Sequence, residues 1–212
     1  MPLSEWEWFC KSWEELVLDE YMNDNGKYRY RKHAVLISEK YTNNIVQLFD
    51  IPHYQSKYYN TLNGDVERWY TPISQDIVNS RVFGKFIEHA LQVFNLCEIN
   101  HMDPNWSNWY IEVHQFRIFS KEKSEGKPTP EGIHKDGVSY IFMIPIKRFN
   151  VGGGISTIYD NDMKDIFSTT MQVGDIVYVD ESRVYHGVSP IYSQIDKNGI
   201  RDMLVITFKK EI

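Results

Sequence analysis

The sequence predicts a mainly β protein of the α+β class, a sandwich or small double-sheet jelly roll preceded by covering helices. Three observations carry this. Apolar residues in the first hundred positions recur at three- and four-residue spacing. Beyond about residue 105 that period gives way to short β-branched and aromatic runs cut by Gly, Pro, Asn and Asp. The length of 212 residues suits one packed core rather than two. A single domain over 1–212 is expected, with 1–104 a mostly helical covering region and 105–212 the β core.

Taken in order, Ser4 followed by Glu7 has the capping-box form, and Trp6, Phe9, Trp13, Leu16 and Val17 then form one helical stripe. A stronger helix runs from about Ser80, where Val82, Phe83, Phe86, Ile87, Ala90, Leu91 and Phe94 keep the same period. The tyrosine-rich stretch between them is broken by Pro52, Gly64 and Pro72 and reads as irregular, with at most one short strand. Six short runs follow: "WYIEVHQFRIF", "VSYIFMIPI", "GISTIYD", "MQVGDIVYVD", "VYHGVSPI" and "DMLVITF". In the last, Met203 and Val205 alternate with Leu204, Ile206 and Phe208, so both faces are apolar. One is expected to face the lumen and the other the helices.

Composition excludes several functions. A net charge of -6 and a pI near 5.6 do not suit a phosphate-binding surface, so nucleic acid is not an expected partner. Cys10 and Cys97 are isolated and make neither a disulfide framework nor a zinc knuckle. No segment has the roughly 18 apolar residues of a membrane span. The first 22 residues, with six acids and one lysine, do not resemble a secretory signal. A cytoplasmic location is expected.

The chemistry concentrates at "GIHKDGVSYIF", where His134 and Asp136 stand two apart at the lip of a strand. His-x-Asp alone is weak. With 7 histidines and 29 acids, chance supplies about one such pair. His101 and Asp103 form another, set in the turn-like "NHMDPN" and read as turn chemistry. What distinguishes the first pair is His186, 52 residues on and opening another strand. Two neutral imidazoles and one carboxylate can occupy one face of an octahedral ion and leave three positions open, the facial triad of non-haem iron(II) oxygenases. The plain alternative is three polar residues at strand ends. Arg201 adds weight, because it is in register with Met203, Val205 and Thr207 on the lumen face, and a buried arginine needs an anion. Its fork suits the distal carboxylate of a diacid that chelates the metal at its other end.

From "VHQFRI" through "IHKDGVSYIFMIPI", "NVGGGISTIYD", "VYHGVSPI" and "RDMLVITF", the chain resembles the 2-oxoglutarate/iron(II)-dependent dioxygenases of the bacterial group that hydroxylates free amino acids such as L-isoleucine. The resemblance covers residues 113–208. It implies a double-stranded β-helix, cupin-like, in which His134, Asp136 and His186 bind Fe(II) and carry catalysis, and Arg201 binds the C5 carboxylate of 2-oxoglutarate. It also implies O2 as oxidant, stimulation by ascorbate, and a free amino acid as substrate. One departure is that Arg201 is followed by Asp202 and Met203, where many relatives place Ser or Thr two residues on. Asp202 is expected to face away from the lumen in a structural salt bridge with a Lys or Arg of a covering helix.

Gln115 and Arg117 share a face of their strand, and by the resemblance they can reach 2-oxoglutarate or the substrate. Alternation equally allows Phe116 and Ile118 to face inward, because period two fixes the pairing and not the side. His114 falls opposite Gln115 and reads as structural. Gly152, Gly153 and Gly154 lack the Lys and helix of a phosphate loop, and read as a hairpin or bulge bringing backbone near the ligand. Two other functions remain open at this level. One is a non-catalytic metal-binding cupin, which has no need of Arg201. The other is a peptide or protein hydroxylase, in which 54–70 forms an open groove.

Overall fold

The computed structural model describes residues 3–101, 105–121 and 124–211. Its centre is an antiparallel sheet with strand order β1 (Val17–Leu18), β2 (Arg29–Glu39), β4 (Asn108–Ser120), β12 (Gly199–Glu211), β5 (Tyr140–Phe149) and β9 (Val177–Asp180). β3 (Ile45–Leu48) also pairs with β2. Two smaller sheets face it, one of β10 (Tyr185–Val188), β7 (Ser156–Tyr159) and β8 (Asp165–Thr169), the other of β11 (Ile191–Ser193) and β6 (Val151–Gly153).

The ladders that join β12 to β4 and to β5 divide the molecule by their alternation. Leu204, Ile206 and Phe208 of β12 join Ile111 and Val113 of β4 and Phe142 and Ile144 of β5 in the main core. Met203, Val205 and Thr207 turn to the opposite face and line a cavity. The two-faced reading of the last strand is therefore correct.

The helices close the core side. α1 (Leu3–Lys11) runs into a 3-10 turn over Ser12–Glu15, α2 is the short Gln75–Val78, and α3 spans Arg81–His101. Ser80 caps α3, its Oγ accepting from Phe83 N at 3.2 Å, which is why the helix starts where the sequence signal places it. Phe9, Trp13, Ile87, Leu91 and Phe94 meet the sheet. The Phe94 ring stacks on Tyr140 at 4.6 Å and meets Phe208 edge-on at 4.9 Å.

Residues 1–104 are less helical than expected. β2 is an eleven-residue strand inside the main sheet, hydrogen-bonded to β4 along its length. It lacks the usual strand signature because its cavity face carries Arg29, Arg31 and His33, while only Ala34 and Leu36 join the core. The N-terminal stripe also stops as a helix at Lys11, and Val17 belongs to β1. β8 was not legible either. It is short and mostly exposed, so neither face carries a burial pattern. His101 ends α3, and Asp103 lies outside the described residues.

Phe94→Ala should lower unfolding free energy by about 3–5 kcal/mol, the usual cost of emptying a buried aromatic site. Urea denaturation measures it, and a loss below about 1 kcal/mol would mean that α3 is not integral to the sheet's core.

Candidate functional site

Backbone pairing brings the two histidines together. His134 N donates to His186 O at 2.9 Å and His186 N to His134 O at 3.0 Å, an isolated bridge that holds their rings 4.4 Å apart. Asp136 Oδ1 lies 3.5 Å from His134 Nε2, and its Oδ2 lies 3.5 Å from His186 Nε2. One donor atom from each of the three residues falls within 4.8 Å of the others. His134 Nδ1 donates to Gly132 O at 3.0 Å, which aims Nε2 toward Asp136. Burial works against charge on His134, yet Asp136 and Glu131 outweigh it and raise its pKa to about 9. The pull these carboxylates exert on a proton is the pull a divalent cation would feel, and the donor set fits one face of an octahedral ion.

Asp136 is held from two sides. Gln55 Nε2 donates to its backbone O at 3.0 Å and to its Oδ1 at 3.1 Å, and Gln55 is itself fixed by Asn60 Nδ2 at 2.9 Å. The buried Glu181 carboxylate accepts from the backbone N–H of Asp136, from Gly137 N at 2.7 Å and from Val138 N at 2.8 Å. Gly137 sits at φ +81°, where a Cβ would strike the Tyr59 ring. Sequence reasoning missed Gln55, Glu181 and Glu131, whose Oε1 is 3.4 Å from His134 Nε2. Only folding brings Gln55 and Glu181 near the His-x-Asp, whereas Glu131 lies three residues before His134.

Arg201 turns into the cavity as expected. It is 5% exposed, and among the described residues no carboxylate lies within ion-pair distance. Burial, with Arg148 beside it, lowers its pKa to about 10. The glycine run makes room for it. Gly154 has φ +67°, and a Cβ there would stand 3.3 Å from Arg201 Cδ. The backbone does approach closely at this point, in β6 and the turn after it.

Gln115 and Arg117 do not reach the cavity. The inward side of β4 carries Tyr110, Glu112, His114, Phe116 and Ile118. Gln115 Nε2 donates to Ser12 Oγ at 2.8 Å, under the N-terminal helical turn. Arg117 grips Asp202 with two bonds at 2.7 and 2.8 Å and Glu14 with two at 2.9 Å. Both are corrected to structural residues of the covered face. Asp202 does face away from the lumen in a salt bridge, but its partner is on a neighbouring strand rather than a helix. His114, read as structural, faces the cavity.

The cavity measures about 830 Å³, within the range of small-molecule sites. The triad and Arg201 share it with Ile141, Met143, Met203 and Val205. A further group, Arg31, His53, Arg68, Glu112 and His114, lines the same space.

A model of the 2OG-Fe dioxygenase family matches residues 10–207. The chain belongs to that family. As a 2OG-Fe dioxygenase it is an enzyme, and its family implies Fe(II), 2-oxoglutarate and O2, which sets aside the non-catalytic cupin. The dioxygenase is 27% identical to a 3(1)-hydroxy-L-isoleucine 4-dioxygenase of Pantoea ananatis (strain AJ13355), over 98% of this chain and 82% of that protein. It is 21% identical to an L-isoleucine-4-hydroxylase of Bacillus thuringiensis, over 74% of this chain and 64% of that one. The crystal structure of a bsmA homolog from Methylobium petroleophilum PM1 superposes with a TM-score of 0.81 at 30% identity, covering 99% of this chain and 82% of that chain. IDO from Bacillus thuringiensis shares the fold at a TM-score of 0.79 and 16% identity, covering 99% of this chain and 84% of that chain. The dioxygenase therefore has the expected jelly-roll, double-stranded β-helix core. No helix among the described residues is long and apolar enough to cross a membrane.

Arg117→Ala should cost about 3–5 kcal/mol of stability by stranding the buried Asp202 carboxylate. Its affinity for 2-oxoglutarate should stay at the wild-type value. Thermal denaturation and calorimetry check the two halves, and a variant of full stability that fails to bind 2-oxoglutarate would return Arg117 to the cofactor site.

Proposed function

We propose that this dioxygenase hydroxylates an unactivated C–H bond of a free L-amino acid or a close derivative. The observation that carries this reading is the folding of the 53–70 segment against the cavity, which His53, Gln55, Asn60 and Arg68 line. Its polar side chains His53, Gln55, Asn60, Asn63 and Arg68 are buried, where a peptide hydroxylase would need an open groove. The activities for which the two relatives are named, on hydroxy-L-isoleucine and L-isoleucine, point the same way.

In this reading His134, Asp136 and His186 hold Fe(II), and Arg201 takes the far carboxylate of 2-oxoglutarate. Bound iron supplies the activation of dioxygen that couples oxidative decarboxylation of 2-oxoglutarate, to succinate and CO2, to oxidation of the substrate. The protein supplies geometry. Gln55 and Glu181 fix the Asp136 carboxylate, the Gly132 carbonyl fixes the His134 tautomer, and Ile141, Met143, Met203 and Val205 keep water from the reacting C–H bond. Ascorbate, by keeping iron reduced, stimulates turnover.

One iron(II) per chain is expected in a metal titration, with His134→Ala and His186→Ala each losing it. Full binding by both variants would remove the triad. Arg201→Ala leaves the dicarboxylate's charge unpaired, at about 2–5 kcal/mol. That weakens 2-oxoglutarate binding by about thirty- to several-thousand-fold, with iron binding retained. Arg201→Lys should recover only part, because an ammonium cannot form the planar two-bond fork. Anaerobic calorimetry measures this, and unchanged affinity in Arg201→Ala would place the anchor elsewhere. Substrate class is tested by succinate release with each proteinogenic L-amino acid.

A further inference from the structure

The reaction as described leaves unused the second group of buried titratable side chains. Glu112 Oε1 accepts from His33 Nε2 at 3.2 Å and from His53 Nδ1 at 2.9 Å. Burial pushes both imidazoles toward the neutral form, His53 to a pKa of about 4, against the pull of Glu112. They orient the carboxylate without cancelling its charge.

Beside it lies a cation without an anion. Arg68 is 2% exposed, and among the described residues its Nε and Nη2 have no hydrogen-bond partner. It stands directly across from His53, with His53 N donating to Arg68 O at 3.0 Å and Arg68 N to His53 O at 2.9 Å. Despite that proximity, Arg68 and Glu112 form no ion pair, and both face the cavity. A buried, unpaired guanidinium is expensive unless an anion arrives. Arg31 is already committed: its Nη2 meets His114 Nδ1 at 2.7 Å, and its guanidinium lies 3.8 Å over the Tyr70 ring.

The placement relative to the reacting centre is also defined. Glu112 pairs with Thr207 and Ile118 with Arg201, so six residues of β12, about 20 Å of strand, separate Glu112 from the Arg201 end. Gln55, which touches Asp136, follows His53 by two residues, at most about 7 Å of chain. The charged group is thus tied to the triad through Gln55 and well separated along β12 from Arg201.

Resting on the reading that the substrate is a free amino acid, we propose that Arg68 binds its α-carboxylate and Glu112 its α-ammonium, directing the substrate side chain toward His134, Asp136 and His186. The complementarity is that of a zwitterion, one unpaired cation and one uncancelled anion on the same wall. The four ligand-type side chains His33, His53, Glu112 and His114 also cluster within 4.8 Å. A metal ion is disfavoured there, because His114 Nδ1 already accepts from Arg31, and Arg31 and Arg68 place two positive charges alongside.

The test begins with the amino acid that gives most succinate in the wild-type enzyme with iron(II) and 2-oxoglutarate. Arg68→Met should raise its KM by about thirty- to several-thousand-fold. The calorimetric Kd for 2-oxoglutarate should not change. The melting temperature of the ligand-free variant should hold or rise, since an unpaired buried charge has been removed; a structural arginine would lower it. Competition by two analogues assigns the contacts. The des-carboxy amine should lose to the amino acid in wild type but bind Arg68→Met equally well, and the des-amino acid should stand in the same relation to Glu112→Gln. If Arg68→Met does not fold, Arg68→Lys should give a partial KM defect, and Glu112→Gln tests the ammonium contact. An unchanged KM in both Arg68→Met and Glu112→Gln overturns this inference and leaves the amino-acid reading intact. No succinate with any amino acid overturns both. A second equivalent of metal, lost in Glu112→Gln, would assign the cluster to a cation instead.

Discussion

Three adjacent strands, β2, β4 and β12, each turn one face to the helical core and the other to the cavity, and the active site depends on that division. Because side chains alternate with a period of two, a one-residue slip in any of these ladders would drive Arg201, His114 or Arg31 into the helical core and empty Leu204, Val113 or Ala34 into the cavity. The same burial that stabilises the outer layer therefore fixes the register of the inner one. The Arg117, Asp202 and Glu14 network reinforces it from the covered side, tying β4, β12 and the N-terminal turn together.

The cavity wall built in this way is charged well beyond what packing would choose. Arg29 and Arg31 share Asp19, at 2.8 and 3.8 Å, while Arg68 and Arg201 have no such partner among the described residues. Unpaired buried cations lower stability and are retained only where a ligand completes them. The two arginines line the same cavity as the His134, Asp136 and His186 cluster, two anion-seeking groups in one space. A site of this kind orders a dicarboxylate and a second small molecule without direct contact between their charged groups.

The His134, Asp136 and His186 cluster is positioned by backbone. Two reciprocal hydrogen bonds join His134 to His186, and the Glu181 carboxylate gathers the N–H groups of Asp136, Gly137 and Val138 into one turn. Gly137 is required at that turn because its φ is positive and Tyr59 packs against it. The short His-x-Asp segment can therefore hold its geometry outside any regular strand.

Sequence alone was sufficient for whatever depends on local pattern and residue chemistry. The α3 period, the alternation of β12, the His134, Asp136 and His186 set and the inward turn of Arg201 were all legible, because each is carried by residues close in the chain or by an unusual combination of types. It was not sufficient where side and partner are set at long range. Alternation along β4 left the facing of Gln115 and Arg117 open, and only the packing of Ser12 and Glu14 on the outer face decided it. β2 was hidden because its inner face is charged for the cavity, so it lacked the hydrophobic alternation that marks a strand. Gln55, Arg68, Glu112 and Glu181 became visible as site residues only in three dimensions, since nothing local in the sequence distinguishes a polar residue that turns inward from one that stays in water. That choice belongs to the tertiary fold, where burial makes an unpaired charge costly and a ligand the means of relieving it.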